Sequence, residues 1–476
     1  MNRDVVNVDG GEHLTSGFRR RHLRNSLAMA LSDAVALAVA LCVGNLMLKW
    51  LNGISFEIRA GWLLLPVWTT VSLMARLVPG WGLGTVDELR RIQQSLFVMF
   101  AVLLLGSFFA RGGLGGSRIV FLFTYFFSAA GIPFSRIATR AACVRWGNWG
   151  IPVCIYGDAE STGTLIEALR SAPGLGYVPT AIFSDDIAQG TVIDGVPVLG
   201  GLRSVTRRVA VAIMALSQVP RRKLVETLEG PLEVYRRVIV VPDLKEAPSM
   251  WVVPRDLQGI LGLEITKNLL NPMARFLKRF IDLALTLATL PLWLPLMLLL
   301  YVLIWLEDRA NPIFLQPRLG RDRTVFKTIK FRTMVPNAER VLQHALRRDA
   351  ALKTEWEAHF KLKNDPRITR VGNFLRKTSL DEIPQLLNVL GGSMSLVGPR
   401  PLPEYHYLEL PSRVRFLRNQ VRPGITGLWQ VSGRSEAGTE GMEKWDPYYV
   451  RNWSIWLDVV ILFRTVKAVL FARGAY

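Results

Sequence analysis

Two adjacent carboxylates, Asp381 and Glu382, have basic residues on both sides in the sequence, with Arg376 before them and Arg400 after them. An aspartate can attack phosphorus to form an acyl phosphate, which divides one difficult substitution into two easier steps. A neighbouring glutamate can help to hold a divalent cation across a diphosphate. Arginines bind phosphate oxygens as bidentate donors that never lose their charge. These residue types predict an anion-binding site with Asp381 as its nucleophile.

A helix is predicted directly after the two carboxylates, because apolar residues recur there at helical spacing, namely Ile383, Leu386, Leu387 and Leu390. Thr378 or Ser379 is the expected N-cap, which places both carboxylates in the first turn. The unpaired N–H groups of a first turn carry partial positive charge and favour carboxylates or phosphate. Ser379 and Glu382 also have the spacing of a capping box, which is the structural alternative to a catalytic role.

Further blocks of sequence occur in order around this stretch. They are Lys278-Arg279-x-x-Asp282, Gln316-Pro-Arg318-Leu-Gly320, Lys330-Phe-Arg332-Thr-Met334, Arg376-x-x-Ser-Leu-Asp381-Glu382-x-Pro-Gln-Leu386, Ser395-Leu-Val-Gly-Pro-Arg400-Pro401 and Arg422-Pro-Gly-x-Thr-Gly-Leu-Trp429-Gln430. Together they resemble the monotopic phosphoglycosyl transferases, which make polyprenyl-diphosphate-linked sugars. The resemblance covers residues 278–476, and no single block carries it alone.

Three basic residues in these blocks are further candidates for binding substrate phosphate: Arg318, Lys330 and Arg332. The last two lie on a predicted strand, where they would contact the diphosphate or the lipid phosphate. A solvated basic face against lipid headgroups is an equally open interpretation. Trp429 or Gln430 could line a nucleotide pocket, although core packing is the favoured role for Trp429.

The composition indicates a membrane protein. Half of the 476 residues are hydrophobic and the net charge is +20, a combination that suits apolar spans beside anionic lipid or a phosphorylated substrate. Zinc-finger spacing, aromatic RNA-binding motifs and basic zippers are missing from the sequence, so we expect no nucleic-acid partner. Three cysteines without paired spacing predict neither a disulfide framework nor a zinc site.

Four transmembrane helices are predicted in an N-terminal region, 1–146, at about residues 26–48, 62–79, 95–110 and 119–137. The third is near the short limit for a span. Basic residues before the first span and after the fourth, Arg136, Arg140 and Arg145 among them, predict that both ends of this unit are cytoplasmic. Asp33 inside the first span is either a functional intramembrane charge or a helix–helix contact, and we favour the contact.

Residues 147–270 are predicted to form a Rossmann-like α/β domain, because β-rich runs alternate there with helical ones. Strands are expected at 153–157 and 237–242, with a helix around 165–169. The turn from Gly157 to Gly163 lacks the glycine spacing of a dinucleotide fingerprint, so a structural or regulatory module is favoured over a bound nucleotide. The resemblance likewise implies a Rossmann-like domain between four helices and the catalytic part.

The catalytic domain, 271–476, is predicted to be α+β and to begin with a re-entrant membrane helix at 278–306. The apolar run is long enough to cross a bilayer, but Pro291 and Pro295 would bend it. Crossing would also export the basic segment that follows, against the positive-inside rule. The resemblance implies the same element, with Lys278, Arg279 and Asp282 near the membrane surface and the kink at Pro295, although Leu294 replaces the serine of the family's Ser-Pro kink. A straight fifth span is the alternative.

Other elements of the catalytic domain follow from pattern alone. Strands are predicted at 312–316 and 325–331, a charged helix at 337–360, and an amphipathic helix at the membrane interface at 453–471.

The resemblance and the residues together predict the reaction. Hexose 1-phosphate would move from a UDP-hexose to undecaprenyl phosphate through an aspartyl-phosphosugar on Asp381, with Mg²⁺ held by Glu382 and Asp381. Galactose is the leading sugar, from the likeness of 337–363 and the C-terminus to galactose enzymes, and glucose is the next.

We expect a homodimer in the bacterial inner membrane with its catalytic domain on the cytoplasmic face, starting a surface polysaccharide. A polytopic transferase without a covalent intermediate and a non-catalytic scaffold are the alternatives.

Overall fold

The computed structural model describes residues 6–7, 15–53, 62, 64–109, 115–215, 227, 230–241, 252–256, 261–265, 271–359, 362, 365–433 and 438–470. The chain divides into two compact units, Met1–Glu246 and Ala247–Tyr476.

Four apolar helices begin the first unit: α1 (Thr15–Asn52), α2 (Leu64–Met74), α3 (Thr85–Phe109) and α4 (Gly115–Arg145). By length and composition, α1, α3 and α4 contain segments able to cross a membrane. The second helix has 11 residues and rises only about 16 Å. The second predicted span is therefore the short one. The third span was predicted to be short, but its helix begins earlier than predicted. Residue 110, at the predicted end of the third span, lies outside the described residues.

A buried charge network joins these four helices. Asp33 on α1 accepts hydrogen bonds from Arg136 on α4, at 2.5 Å and 2.7 Å, and from the indole of Trp68 on α2, at 2.9 Å. Glu88 on α3 pairs with Arg136 at 3.2 Å and with Arg140 at 2.6 Å. The interpretation of Asp33 as a helix–helix contact is confirmed. Arg136, predicted as a flanking charge, is instead buried as the partner of Asp33.

A six-stranded sheet follows the helices in the first unit. Its strands are β2 (Ile151–Gly157), β3 (Tyr177–Phe183), β4 (Val192–Ile193), β5 (Val196–Gly200), β7 (Val211–Ala215) and β8 (Arg237–Val240), and a separate pair joins β1 (Val6–Asn7) to β6 (Ser204–Val205). The order β4-β5-β3-β2-β7-β8 is parallel except at β4. Helix α5 (Ala159–Ser171) connects β2 to β3, as the predicted alternation requires. The strand predicted to end at residue 242 ends at Val240, and 242 itself lies outside the described residues.

The turn after β2 differs from a phosphate cradle. Asp158 is the N-cap of α5, and its carboxylate accepts a hydrogen bond from the N–H of Ser161 at 2.7 Å. An acidic cap puts negative charge where the phosphates of a dinucleotide would lie, and this disfavours a phosphate there.

The second unit mixes helices with short sheets. Its elements are β9 (Val252–Asp256), β10 (Leu261–Ile265), α6 (Pro272–Ala288), α7 (Leu290–Asp308), β11 (Ile313–Leu319), β12 (Val325–Phe331), α8 (Ala338–Arg348), α9 (Ala350–His359), α10 (Arg370–Thr378), α11 (Gln385–Leu390), β13 (Ser395–Val397), α12 (Glu404–Glu409), α13 (Ser412–Arg418), β14 (Gly424–Thr426), α14 (Leu428–Gly433), α15 (Gly438–Arg451) and α16 (Ile455–Leu470). β9 pairs with β10 and β11 with β12 in antiparallel fashion, whereas β13 and β14 are parallel.

Two of the predicted helices differ from the observed ones, one by an interruption in the middle and one in where it begins. The charged helix predicted at 337–360 is divided into α8 and α9, because Asp349 between them has an extended backbone. The C-terminal helix begins at Ile455, where the hydroxyl of Ser454 accepts the N–H of Leu457 at 3.0 Å. Residues 360 and 471, the predicted ends, lie outside the described residues.

The apolar run predicted as a kinked membrane helix consists of α6 and α7, separated at Thr289. Pro291 lies in the first turn of α7, where a missing N–H costs nothing. At the junction the indole of Trp293 donates to the carbonyl oxygen of Thr286 at 3.0 Å. The helix is interrupted at Thr289 and Pro295 lies inside α7, so a bend at Pro295 stays a prediction.

Candidate active site

The two carboxylates lie in a short 3₁₀ turn, Leu380–Glu382, between α10 and α11. Ser379 ends α10 in the left-handed conformation, with φ of 57°, and its side chain caps neither helix. The hydroxyl of Thr378 donates backwards to the carbonyl oxygen of Phe374 at 2.8 Å. The prediction of one helix capped at Thr378 or Ser379 was therefore wrong, and no capping box forms.

Glu382 is held by two cations, one on a strand and one in a loop. Its Oε1 accepts Lys330 Nζ, on β12, at 2.8 Å and Arg400 Nη2, just after β13, at 2.9 Å. Burial by itself would raise the pKa of Glu382, but Arg400 and Lys330 overcome this and lower the pKa to about 2. Glu382 is thus ionised at any physiological pH.

Asp381 has the opposite environment. Burial and the neighbouring charge of Glu382 raise the pKa of Asp381 to about 6, against the opposing effects of Lys330, Arg376 and Arg400. Adjacent carboxyl groups whose pKa values are driven apart in this way are typical of a site with distinct chemical roles. Near neutral pH, Asp381 is largely ionised yet more basic than an ordinary aspartate, which suits a nucleophile.

Arg318, Lys330 and Arg400 converge with Glu382 on one pocket, whose other lining residues are Thr328, Gln385, Pro401 and Ile425. Arg318 Nη2 donates to Gln316 Oε1 at 2.6 Å. Burial, and then the charge of Arg400, lower the pKa of Arg318. Three guanidinium and ammonium groups with one carboxylate leave a positive excess, so this pocket favours an anion such as a diphosphate.

Arg376 is placed less closely than predicted. It lies exposed in the last turn of α10. Its charge opposes the rise in the pKa of Asp381 but does not cancel it. No ion pair joins it to Asp381 or Glu382 in the described part of this unit.

Arg332 has a different set of partners from the predicted one. Its guanidinium forms two hydrogen bonds to Asp308, at the end of α7, at 2.5 Å and 2.6 Å. It also donates to the carbonyl oxygens of Asn311 and Met334, at 2.7 Å and 3.0 Å. These contacts attach α7 to β12, and none of them supports the predicted contact with phosphate.

Lys278, Arg279 and Asp282 attach α6 to the same unit. Lys278 Nζ donates to Asp458 at 2.6 Å and to the carbonyl oxygen of Val397 at 3.1 Å. Arg279 donates to the carbonyl oxygens of Val389 and Leu390, at 2.6 Å and 3.0 Å, where a helix C-terminus attracts positive charge. Asp282 is buried and accepts from the hydroxyl of Ser395 at 2.7 Å.

The motifs did not indicate the residues that support this site from behind. Asn388 on α11 accepts the N–H of Ile329 at 2.9 Å and donates to the carbonyl oxygen of Lys327 at 2.8 Å, which binds α11 to the strand carrying Lys330. Arg418 and Asp446 form a buried ion pair behind Arg400. Their spacing in sequence carries no periodic signal, so only the fold reveals them.

Gln430 lies close behind the pocket. It is buried, and its Nε2 donates to the carbonyl oxygen of Ile425, a pocket residue, at 3.2 Å. Trp429 is partly buried. A role for either residue in binding nucleotide stays a prediction.

The donor set suits Mg²⁺ better than a transition metal. In the described ranges no group of three or more His, Cys, Asp and Glu side chains is placed to hold a metal ion. Mg²⁺ is usually bound by one or two carboxylates together with substrate phosphates. Binding of Mg²⁺ by Asp381 and Glu382 stays a prediction.

Two protein-family models match parts of this chain. Residues 273–472 match the bacterial sugar transferase family, and residues 81–212 match a CoA-binding domain family. The second match begins before α3 and ends in β7, so it includes two of the apolar helices as well as strands of the sheet.

Relatives cover both the whole chain and half of it. The UDP-galactose-lipid carrier transferase of Erwinia amylovora is 34% identical over 94% of this chain and 97% of its own length. The UDP-glucose:undecaprenyl-phosphate glucose-1-phosphate transferase of Escherichia coli is 31% identical over 75% of this chain and 76% of its own. The exopolysaccharide production protein ExoY of Sinorhizobium fredii is 42% identical over 49% of this chain and 98% of its own.

The match to the bacterial sugar transferase family thus covers most of the second unit, including both carboxylates and the cations of the pocket. The chain belongs to the bacterial sugar transferases, the family of polyprenyl-phosphate hexose-1-phosphate transferases that its motifs predict.

Proposed function

We propose that the protein transfers galactose 1-phosphate from UDP-galactose to undecaprenyl phosphate, releasing UMP, through a covalent intermediate on Asp381. The observation that carries the proposal is the division of labour in the dyad. Glu382 is ionised and paired with Lys330 and Arg400, whereas Asp381 is a basic carboxylate without such a pair. The product would begin a surface polysaccharide.

The reaction takes two displacements at one phosphorus. A carboxylate oxygen of Asp381 attacks the phosphorus that bears the sugar, and the bond from that phosphorus to the bridging oxygen breaks, so UMP leaves with the electron pair. A phosphate oxygen of the lipid then attacks the same phosphorus and breaks its bond to Asp381. The carboxylate is restored and the lipid carries a diphosphate-linked sugar.

The cations of the pocket would bind the diphosphate. Arg318, Lys330 and Arg400 supply donors that stay charged, and they stabilise the charge that develops on phosphate oxygens during transfer. Glu382 with Asp381 would hold Mg²⁺, which when bound neutralises diphosphate charge. Glu382 also fixes Lys330 and Arg400 relative to each other, because both donate to one of its oxygens.

We further propose that α6 and α7 form a re-entrant element that brings lipid to the dyad from the cytoplasmic side of the inner membrane. Arg279 on α6 binds the carbonyl oxygen of Val389, and the adjacent Asn388 binds Ile329. Close by on the same strand, Phe331 belongs to a buried cluster with Ile304 on α7. Along a straight helix, residues 279 and 304 would lie about 38 Å apart. Contacts this close together support a chain that turns back at Thr289 and leaves by the side it entered.

The relatives support two different sugars, galactose and glucose. The relative from Erwinia amylovora is named for UDP-galactose, and the one from Escherichia coli for UDP-glucose. We propose galactose because the relative named for it matches nearly the whole chain.

Release of UMP from a panel of UDP-hexoses, with purified protein and undecaprenyl phosphate, tests both the choice of sugar and the covalent mechanism. We expect UDP-galactose to be the best donor, with ping-pong kinetics and exchange of labelled UMP into UDP-galactose before lipid is added. A preference for UDP-glucose would replace the sugar but keep the chemistry. No UMP release with any donor would favour the non-catalytic scaffold, and turnover without exchange would favour direct transfer.

A further inference from the structure

We propose that the buried ion pair of Arg418 with Asp446 is a positioning device that sets the Arg400 guanidinium against Glu382 in the phosphate pocket. This inference rests on the proposed function, since it assigns how one phosphate-binding residue of that site is held.

Arg418 links two helices to the backbone of the pocket. Its Nη1, on α13, donates to Asp446 Oδ2, on α15, and its Nη2 donates to the carbonyl oxygen of Arg400. Both side chains are buried, with residue exposures of 8% for Arg418 and 2% for Asp446. One guanidinium therefore binds a carboxylate and the main chain of the phosphate-binding arginine at the same time.

The backbone on either side of Arg400 is already restrained. Gly398 N–H donates to the carbonyl oxygen of Thr426 at 2.9 Å, and the carbonyl oxygen of Pro399 accepts from the N–H of Gly424 at 3.0 Å. Pro399 and Pro401 have fixed φ angles and no N–H groups of their own. These contacts do not restrain the peptide between Arg400 and Pro401. Arg418 binds the carbonyl oxygen of that peptide.

The side chain of Arg400 then extends from a restrained main chain. Its Nη2 donates to Glu382 Oε1 at 2.9 Å, beside Asp381. The series from Asp446 through Arg418 and the main chain of Arg400 to Glu382 thus joins α15 to the dyad. A displacement of about 1 Å in such a contact can cost about a hundredfold in rate.

Stability alone explains this pair poorly. Desolvation of two charges offsets much of their attraction, and replacement of both by apolar side chains of similar volume is often neutral for stability. Arginine, however, has a planar set of donors that can bind a carboxylate and a carbonyl oxygen in fixed directions, which an apolar side chain cannot. The pair is therefore better suited to fixing geometry than to adding stability.

A double-mutant cycle in the full-length protein tests the assignment. The variants are Arg418→Met/Asp446→Leu, Arg400→Ala, and the combination of all three changes. The measurements are kcat/KM for UMP release from the best UDP-hexose and the midpoint of thermal unfolding. The matched control is Arg367→Met/Asp365→Leu, which removes another largely buried pair of the same unit, joined at 2.6 Å and without a contact to Arg400 or Glu382.

We expect Arg418→Met/Asp446→Leu to lower kcat/KM by about tenfold to hundredfold in the otherwise native protein. The same pair of changes should have little further effect when Arg400 is already alanine, because there is then no guanidinium to position. The Arg367/Asp365 control should change the unfolding midpoint without a comparable loss of kcat/KM.

Equal losses in both backgrounds would overturn the proposal, because they would show a general effect on the fold. A native value of kcat/KM in Arg418→Met/Asp446→Leu would overturn it as well. If this variant does not fold, Arg418→Lys is used in the same cycle, since lysine keeps the charge but cannot bind both acceptors with the geometry of a guanidinium. Native protein that releases no UMP from any donor would instead refute the proposed function.

Discussion

At the scale of single residues, Asp381 and Glu382 are neighbours in sequence with opposite electrostatic environments. Lys330 and Arg400 contact Glu382 directly, whereas Asp381 receives only longer-range attraction and the repulsion of Glu382. The cations therefore pair with the carboxylate that stays ionised, and the more basic carboxylate is the one that we propose as nucleophile. Three predictions follow from this asymmetry.

Loss of the nucleophile should nearly abolish turnover. Asp381→Ala and Asp381→Asn are each expected to lower the rate of UMP release by about a thousandfold or more. Asp322→Asn is the control, because Asp322 is exposed in the turn between β11 and β12, and it should retain the native rate. An Asp381 variant with a tenth of the native rate would contradict the assignment of the nucleophile.

The pH profile of the first half-reaction should report Asp381. In single-turnover release of UMP without lipid acceptor, the rate should fall about tenfold per pH unit below about pH 6, because attack requires the ionised carboxylate and its pKa is raised to about 6. Lys330→Met should move this limb to higher pH, since Lys330 lowers that pKa. An acid limb near pH 4 in the native protein would show that the pKa of Asp381 is not raised in the reacting complex.

The same shift predicts a stability effect. The folded pKa of about 6 lies above the ordinary aspartate value of about 3.9, so Asp381 favours folding below pH 4 and loses that contribution as pH rises through 6. At pH 7.5 its ionisation opposes folding by up to about 3 kcal/mol. In chelator, Asp381→Asn should therefore unfold at a higher temperature than native protein at pH 7.5, with the difference vanishing near pH 4. A lower unfolding temperature for the variant at pH 7.5 would show that the site does not strain this carboxylate.

At the scale of elements, α6 and α7 combine an apolar middle with polar attachments at both ends. Lys278, Arg279 and Asp282 attach the beginning, and Asp308 attaches the end through Arg332. The central residues are mostly exposed and apolar, Leu292, Leu298 and Leu299 among them. Such a pair of helices suits insertion into lipid from a domain that remains on one side.

Cysteine labelling tests that arrangement. A cysteine introduced next to Gly320, after α7, should react with a membrane-impermeant thiol reagent only when the inner membrane is permeable, and so should one near Asn148, after α4. Both positions are then cytoplasmic, as the positive-inside rule predicts. Labelling of the Gly320 position in intact spheroplasts would show that the apolar run crosses the membrane as a straight span.

At the scale of the whole molecule, the residues that we propose for the chemistry lie in one unit. The dyad, its cations, the residues that support them and the α6–α7 pair all belong to Ala247–Tyr476. A relative from Sinorhizobium fredii matches over 98% of its length to only 49% of this chain. The division at residues 146, 147 and 270, and a homodimer formed through the upstream domains, stay predictions.

A truncation should separate the two units by function. A protein beginning near Asn271 is expected to bind membrane and to release UMP in the presence of undecaprenyl phosphate, with lower stability if the upstream domains form a dimer. Activity per folded molecule and size by light scattering are the measurements. If the truncated protein is folded and membrane-bound yet inactive while the full chain is active, the first unit must contribute to the site itself.

The sequence alone was enough to propose the chemistry, because short motifs specify the residue types of the candidate nucleophile, its carboxylate partner and the candidate phosphate-binding cations. Asp381, Glu382, Lys330, Arg318 and Arg400 could be named before any fold was known. Apolar length and the alternation of strands with helices were likewise enough for four N-terminal helices and an α/β sheet, since both are local properties.

Tertiary structure alone decided which cation meets which carboxylate. Lys330 lies on β12 and Arg332 directly follows that strand, yet Lys330 binds Glu382 and Arg332 binds Asp308 at the end of α7. From the sequence, Arg136 was predicted to be a charge that flanks a membrane span. It instead lies buried against Asp33, more than a hundred residues away in the chain. Burial, ion pairing and the pKa values that follow depend on distances between residues remote in sequence, and short motifs and periodicity carry no information about those distances.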